Sequence, residues 1–63
     1  MCESKVFVAA PEGEQLVLAD VTSITAEGDG YQLANLFGEQ VHVRGRLVVA
    51  DLLNHRVVFE LLP

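Results

Sequence analysis

The chain predicts an all-β fold: a small barrel or strongly bent antiparallel sheet of five to six short strands, assembled as a dimer. Three observations predict it. Apolar residues recur with period two in several short windows, as a half-buried strand requires. Gly, Pro, Asn and Asp punctuate those windows at close intervals, supplying the fixed or positive φ that tight turns need. No window keeps the 3.6-residue repeat of an amphipathic helix.

Each element follows in order. Ser4 to Ala10 alternates, with Val6 and Val8 facing one way and Lys5 and Phe7 the other, hence a strand. Pro11-Glu12-Gly13-Glu14 is a turn, and Gln15 to Ala19 returns as a second strand. Asp20 is a short break before a third strand from Val21 to about Glu27. Glu27-Gly28-Asp29-Gly30 closes a tight hairpin onto a fourth strand running from Tyr31 to about Asn35. Leu36-Phe37-Gly38-Glu39 is the next turn. Gln40, His42 and Arg44 then alternate with Val41 and Val43 in a half-buried fifth strand. Gly45 interrupts it and is placed to turn a barrel corner. Arg46 to Leu53 is apolar enough to be buried on both faces or at an interface. Asn54-His55 is a turn, and Arg56 to Leu62 is the last strand, with Val57, Phe59 and Leu61 on one face.

Size sharpens the expectation. Sixty-three residues make a single small β-barrel domain, 1–63, and a chain this short buries only about 60% of its unfolded surface. One cysteine forms no internal disulfide. Yet 51% of the residues are hydrophobic, and the mean hydropathy is +0.35. So many apolar side chains exceed what one small interior hides, which predicts a homodimer. Four basic against nine acidic residues leave a formal charge of −5. That balance repels nucleic-acid phosphates and anionic lipid and makes a nucleic-acid partner unfavourable. The longest nearly apolar run, Leu47 to Leu53, is too short to span a bilayer, and the opening residues lack a secretory pattern. No membrane association and a cytoplasmic location are the expectation, with the thiol reduced.

The chemistry concentrates in the first residues, a metal-binding N-terminus at positions 1–3. Cys2 is the only cysteine. Its thiolate, its own amide nitrogen and the backbone amine of Met1, where Met1 is retained, form fused five-membered chelate rings. The backbone nitrogen of Glu3 is a further donor. Thiolate with deprotonated nitrogen favours square-planar Ni(II) or Cu(II). A second thiolate from a two-fold-related chain would complete the plane. The plainer alternative is an idle reduced thiol at a frayed chain end. His42 and His55 are secondary candidates, since neither has a partner at a metal-site spacing. Glu12, Glu14, Glu27 and Asp29 lack the ligand order of a calcium loop and read as solvated turns.

Two other classes stand beside metal binding. Arg44, Arg46 and Arg56, with Tyr31 or Phe37 as a stacking platform, suit a small RNA-binding β-barrel module. A purely structural interaction domain needs neither arginine nor thiol. Catalysis is poorly supported: a nucleophilic cysteine needs a base held against it on a rigid mount, and no Ser-His-acid set is legible.

Over its whole length the chain resembles the CooT family. Met1-Cys2 leads into a strand, a hairpin follows near Gly13, then the segment Asn35-Leu36-Phe37-Gly38-Glu39, then the closing region around Asp51-Leu52-Leu53. The resemblance implies a small accessory protein associated with nickel insertion into carbon monoxide dehydrogenase. It also implies a homodimeric β-barrel that binds Ni(II) through Cys2, with one ion shared between two chains. A nickel-dependent enzyme or its maturation proteins would be the further partner, and the protein itself would not be an enzyme.

Overall fold

The computed structural model describes residues 4–62, all organised around one sheet. Its strands are β1 (Ser4–Ala10), β2 (Gly13–Glu27), β3 (Gly30–Asn35), β4 (Gln40–Val43), β5 (Gly45–Asp51) and β6 (Arg56–Leu61). They lie in the order β4-β3-β2-β1-β6-β5 and curl into a half-barrel. The all-β expectation holds, and the alternation that motivated it holds on β1 and β4 but not on β6, where Val57, Val58 and Phe59 are all buried and Leu61, expected on the face of Val57 and Phe59, is exposed. Val6 and Val8 of β1 are buried while Lys5 and Ala9 are exposed, and on β4 Val43 is buried while Gln40 and His42 face solvent.

The two strands expected on either side of Asp20 are one continuous strand with a kink. Asp20 adopts φ 57°, a left-handed conformation that aspartate tolerates better than most side chains. The ladders flanking it shift register, near Val6 on one side and between Val21 and Ser23 on the other. The first half of β2 therefore pairs with β1, from Ala10↔Gly13 to Ser4↔Val21. The second half pairs with β3, from Val21↔Asn35 to Glu27↔Gly30. One strand serves two half-sheets.

The expected sheet was antiparallel throughout, and one ladder departs from that. β1 and β6 run parallel, from Lys5↔Arg56 to Ala9↔Glu60. A parallel neighbour cannot arrive by a short hairpin and needs a long crossover. Here β2 to β5 provide it, carrying the chain round the sheet before β6 slots beside β1.

The half-barrel closes at one corner. The edge strands β4 and β5 are consecutive in sequence, with Arg44 alone between them, so that single residue draws the two sheet edges together. Leu62 N–H donates to the Arg44 carbonyl at 3.1 Å and holds the end of β6 against the corner. Two glycines make the close approach possible. A Cβ on Gly45 would lie 2.6 Å from the Glu60 carbonyl oxygen, and one on Gly30 would lie 2.2 Å from that of Val43.

Inside the curl sit Phe59, Leu33 and Val6, the largest fully buried side chains, ringed by Val8, Leu18, Val21, Val43 and Val57. Tyr31 packs on Phe59 with ring centroids 5.0 Å apart and a 51° tilt, the offset geometry that aromatic pairs prefer. β5 contributes little to this core. Residues 46 to 50 are all exposed, so the chain covers neither face of that strand. Burial of this run within one chain is thereby corrected.

Gly30→Ala should cost about 2 kcal/mol or more, because backbone rather than a movable side chain blocks the methyl. In a domain of this size that lowers the thermal midpoint by roughly 10 °C. An unchanged midpoint by circular dichroism would refute the close-approach account.

Candidate functional site at the start of the first strand

Met1, Cys2 and Glu3, the proposed ligand segment, lie outside the described residues, so the site is approached from Ser4. Ser4 opens β1 opposite Val21. Beyond Val21, strand β2 pairs on one side with β3 and continues past the start of β1. An open cleft of about 240 Å³ lies there, lined by Ser4, Val21 to Ile24, Leu52 and Val57. Its walls are mostly apolar, with the side chains of Ser4, Thr22 and Ser23 adding hydroxyls. Ser4, the first described residue of β1, stands at the rim of this cleft.

The opposite wall belongs to the turn joining β5 to β6. Asp51 organises it: one carboxylate oxygen accepts from Asn54 N–H at 3.1 Å, the other from the Asn54 side-chain amide at 2.9 Å. The side-chain hydrogen bond from Asn54, then the backbone one, holds the Asp51 carboxyl below its ordinary pKa. With Asp51 bonded to Asn54 and His55 at φ 56°, Leu52 and Leu53 project to solvent at 74% and 87% exposure.

The two histidines are separated by the fold. His55 accepts Lys5 N–H on its carbonyl at 2.9 Å, which places its backbone at the start of β1. His42 lies on edge strand β4 opposite Gln32, with Nε2 3.4 Å from the Glu27 carbonyl. It borders a different groove, one formed with Val8, Val17, Leu61 and Leu62. Of the two, only His55 adjoins the start of β1. Among the described residues, no three His, Cys, Asp or Glu side chains converge on a metal-sized point.

A residue that sequence reasoning left without a role holds the neighbouring turn. Asn35 is 7% exposed and is the buried polar side chain of the described core. Its oxygen accepts from Phe37 N–H at 3.0 Å and Glu39 N–H at 2.9 Å. Its amide donates to Glu39 Oε1 at 2.7 Å and to the Ala19 carbonyl at 3.3 Å. Leu36 N–H donates to the Asp20 carbonyl at 2.9 Å, so the turn is fastened to the kink of β2. The signal was an Asn directly before Leu-Phe-Gly, since asparagine side chains bond their own backbone two residues on. Leu36-Phe37-Gly38-Glu39 is indeed a turn, and its function is structural in these contacts.

The arginines proposed for RNA do not form a free basic patch. Arg44 pairs with Asp29 at 2.5 Å, Arg46 with Glu60 at 2.6 Å, and Arg56 with Glu14 while stacking 5.1 Å over the Phe7 ring. The Arg44 hydrogen bond holds the Asp29 carboxyl below its ordinary pKa. Tyr31 is engaged with Phe59 rather than offered as a stacking platform.

The lowered Asp51 pKa fixes the sign of a pH effect. A carboxyl depressed in the folded state contributes stability above its unfolded value, about 4, and loses it as pH falls through the lower folded value. Thermal midpoints measured from pH 2 to 7 should therefore fall less steeply below pH about 4 in Asp51→Asn than in the parent. Identical acid limbs would show that Asp51 does not clamp the turn.

With this geometry established, three comparisons locate the chain among known proteins. The family described as CO dehydrogenase accessory protein CooT matches residues 1–60. The crystal structure of "putative CooT" from Carboxydothermus hydrogenoformans superposes with a TM-score of 0.90 at 26% identity, covering 98% of this chain and 100% of that one. An uncharacterized protein of Archaeoglobus fulgidus is 35% identical over 43 residues, 68% of this chain and 96% of its own length. The family match spans the Cys2 segment, both clamped turns and the parallel β1–β6 ladder. The chain belongs to the CooT family of CO dehydrogenase accessory proteins.

Proposed function

We propose that this protein is a nickel-binding accessory protein, a metallochaperone rather than an enzyme, that carries Ni(II) on Cys2 in a cytoplasmic homodimer. The observation that carries the reading is the family match over residues 1–60, because it includes the one thiol of the chain and names a CO dehydrogenase accessory role. The chemistry of the donor set fits. Two Cys2 thiolates and two backbone nitrogens, from Met1, Cys2 or Glu3, form the soft square-planar set that Ni(II) favours. One ion would then be shared by two chains, with His55 in reserve as a nitrogen donor beside β1.

Nickel is cargo in this reading. A ligand set that precedes β1 in sequence can exchange its ion with an incoming donor without unfolding the sheet. Exchange of one thiolate at a time would pass the ion to a nickel-dependent enzyme or its maturation proteins. A cytoplasmic setting keeps the thiol reduced and competent. The RNA-binding alternative through Arg44 and Arg46 is disfavoured because both guanidinium groups are committed to carboxylates on a −5 chain.

Titration with Ni(II), followed by near-ultraviolet absorption, tests the site. Thiolate-to-nickel charge-transfer bands should grow to saturation at one ion per two chains and be missing in Cys2→Ser. Saturation at one per chain would keep nickel but assign the remaining ligand elsewhere, with His55→Ala the next variant. Equal responses from parent and Cys2→Ser would end the Cys2 reading.

A further inference from the structure

We propose that a second cleft, between the start of β1 and the β5–β6 turn, is a binding site for a small organic dicarboxylate. It has a volume of about 360 Å³ and is lined by Lys5, Phe7, Asn54, His55 and Arg56. That volume lies at the small end of ligand pockets and suits a metabolite rather than a macromolecule. The cleft shares no residue with the one at Ser4.

Charge gives the ligand its sign. The chain has nine acidic residues and only four lysines and arginines, yet two of those four meet in this cleft. The parallel ladder brings them together, because it sets Lys5 beside Arg56 on strands about 4.8 Å apart. His55 adds an imidazole and Asn54 an amide. Arg44 and Arg46 lie elsewhere, each tied to a carboxylate. Among the described residues, Lys5 is the basic side chain that no carboxylate pairs. Two acidic groups adjoin the cleft. Asp51 stands opposite Arg56 in the β5–β6 ladder, but both its oxygens accept from Asn54. Glu14 is bonded to Arg56.

That last pair shows the chemistry the cleft favours. Arg56 reaches across β1 to Glu14 on β2, and its guanidinium stacks 5.1 Å over the Phe7 ring. Glu14 engages one of its nitrogens, whereas a guanidinium offers five N–H donors in a planar fork. A second carboxylate therefore finds donors on Arg56, while the Lys5 ammonium takes the other end of the molecule. Phe7 supplies an apolar floor for the carbon stem. A carboxylate fits better than a phosphate here. Phosphate sites draw on converging backbone N–H groups, and the Lys5 N–H is already given to the His55 carbonyl.

Succinate titrated into the isotope-labelled full chain without metal, at fixed ionic strength and followed by NMR, tests the site. Saturable shifts should centre on the amides of Lys5, Phe7, His55 and Arg56. Lys5→Gln should weaken binding about fivefold, the upper end of what one exposed ion pair contributes. Glu14→Gln should tighten it by about the same factor, because it releases Arg56. Glu12→Gln removes the same charge from the same turn, but Glu12 bonds Gln15, so its affinity should match the parent. All three side chains are exposed, and circular dichroism should show each variant folded. Shifts that do not saturate, an unaltered Lys5→Gln, an equal gain in Glu12→Gln, or inorganic phosphate binding as tightly as succinate would each overturn the proposal. Cys2→Ser should bind succinate as the parent does, so failure of the nickel reading leaves this site standing.

Discussion

The kink in β2 at Asp20 is the constraint on which the rest of the structure depends. A straight fifteen-residue strand would make a flat ribbon, and so few residues could not bury a core beneath it. Turning the strand at one left-handed residue lets its halves belong to two half-sheets that face each other across Phe59, Leu33 and Val6. Asn35 holds the kink from outside by tying the β3–β4 turn to the Ala19 carbonyl, while that turn donates to the Asp20 carbonyl. A buried side-chain amide with every partner satisfied stabilises what an unsatisfied one would undo.

The kink also leaves one end of the sheet open. Because β2 runs on past Ser4, the first described residue of β1, an open cleft forms between Ser4, the Val21–Ile24 stretch and Leu52. The β5–β6 turn, clamped by Asp51, closes the other side and turns two leucines outward.

Much of the fold was legible from residue pattern, because period-two burial and turn chemistry are local. The strand limits of β1 and β3, the corner at Gly45 and the turn after Asn35 followed from neighbours in sequence. The parallel β1–β6 ladder did not, since its register joins residues about fifty positions apart and no local preference encodes that choice. Asp20 read as a gap because the αL conformation of one residue interrupts the alternation without ending the strand. The run after Gly45 looked like core because its composition is core-like; only the pairing order shows that it forms an outer edge. Cys2 stood out through its chemistry and the family resemblance. The Asp51 clamp and the neighbouring cleft became visible only when distant segments were assembled around it.

Nickel K-edge X-ray absorption on the loaded protein tests the central claim most directly, because it counts the atoms around the ion. The account predicts a four-coordinate, square-planar centre with two sulfur and two nitrogen neighbours, and loss of the sulfur shell in Cys2→Ser. A six-coordinate shell of oxygen and nitrogen alone would contradict it and remove nickel carriage through Cys2 from the description of this protein.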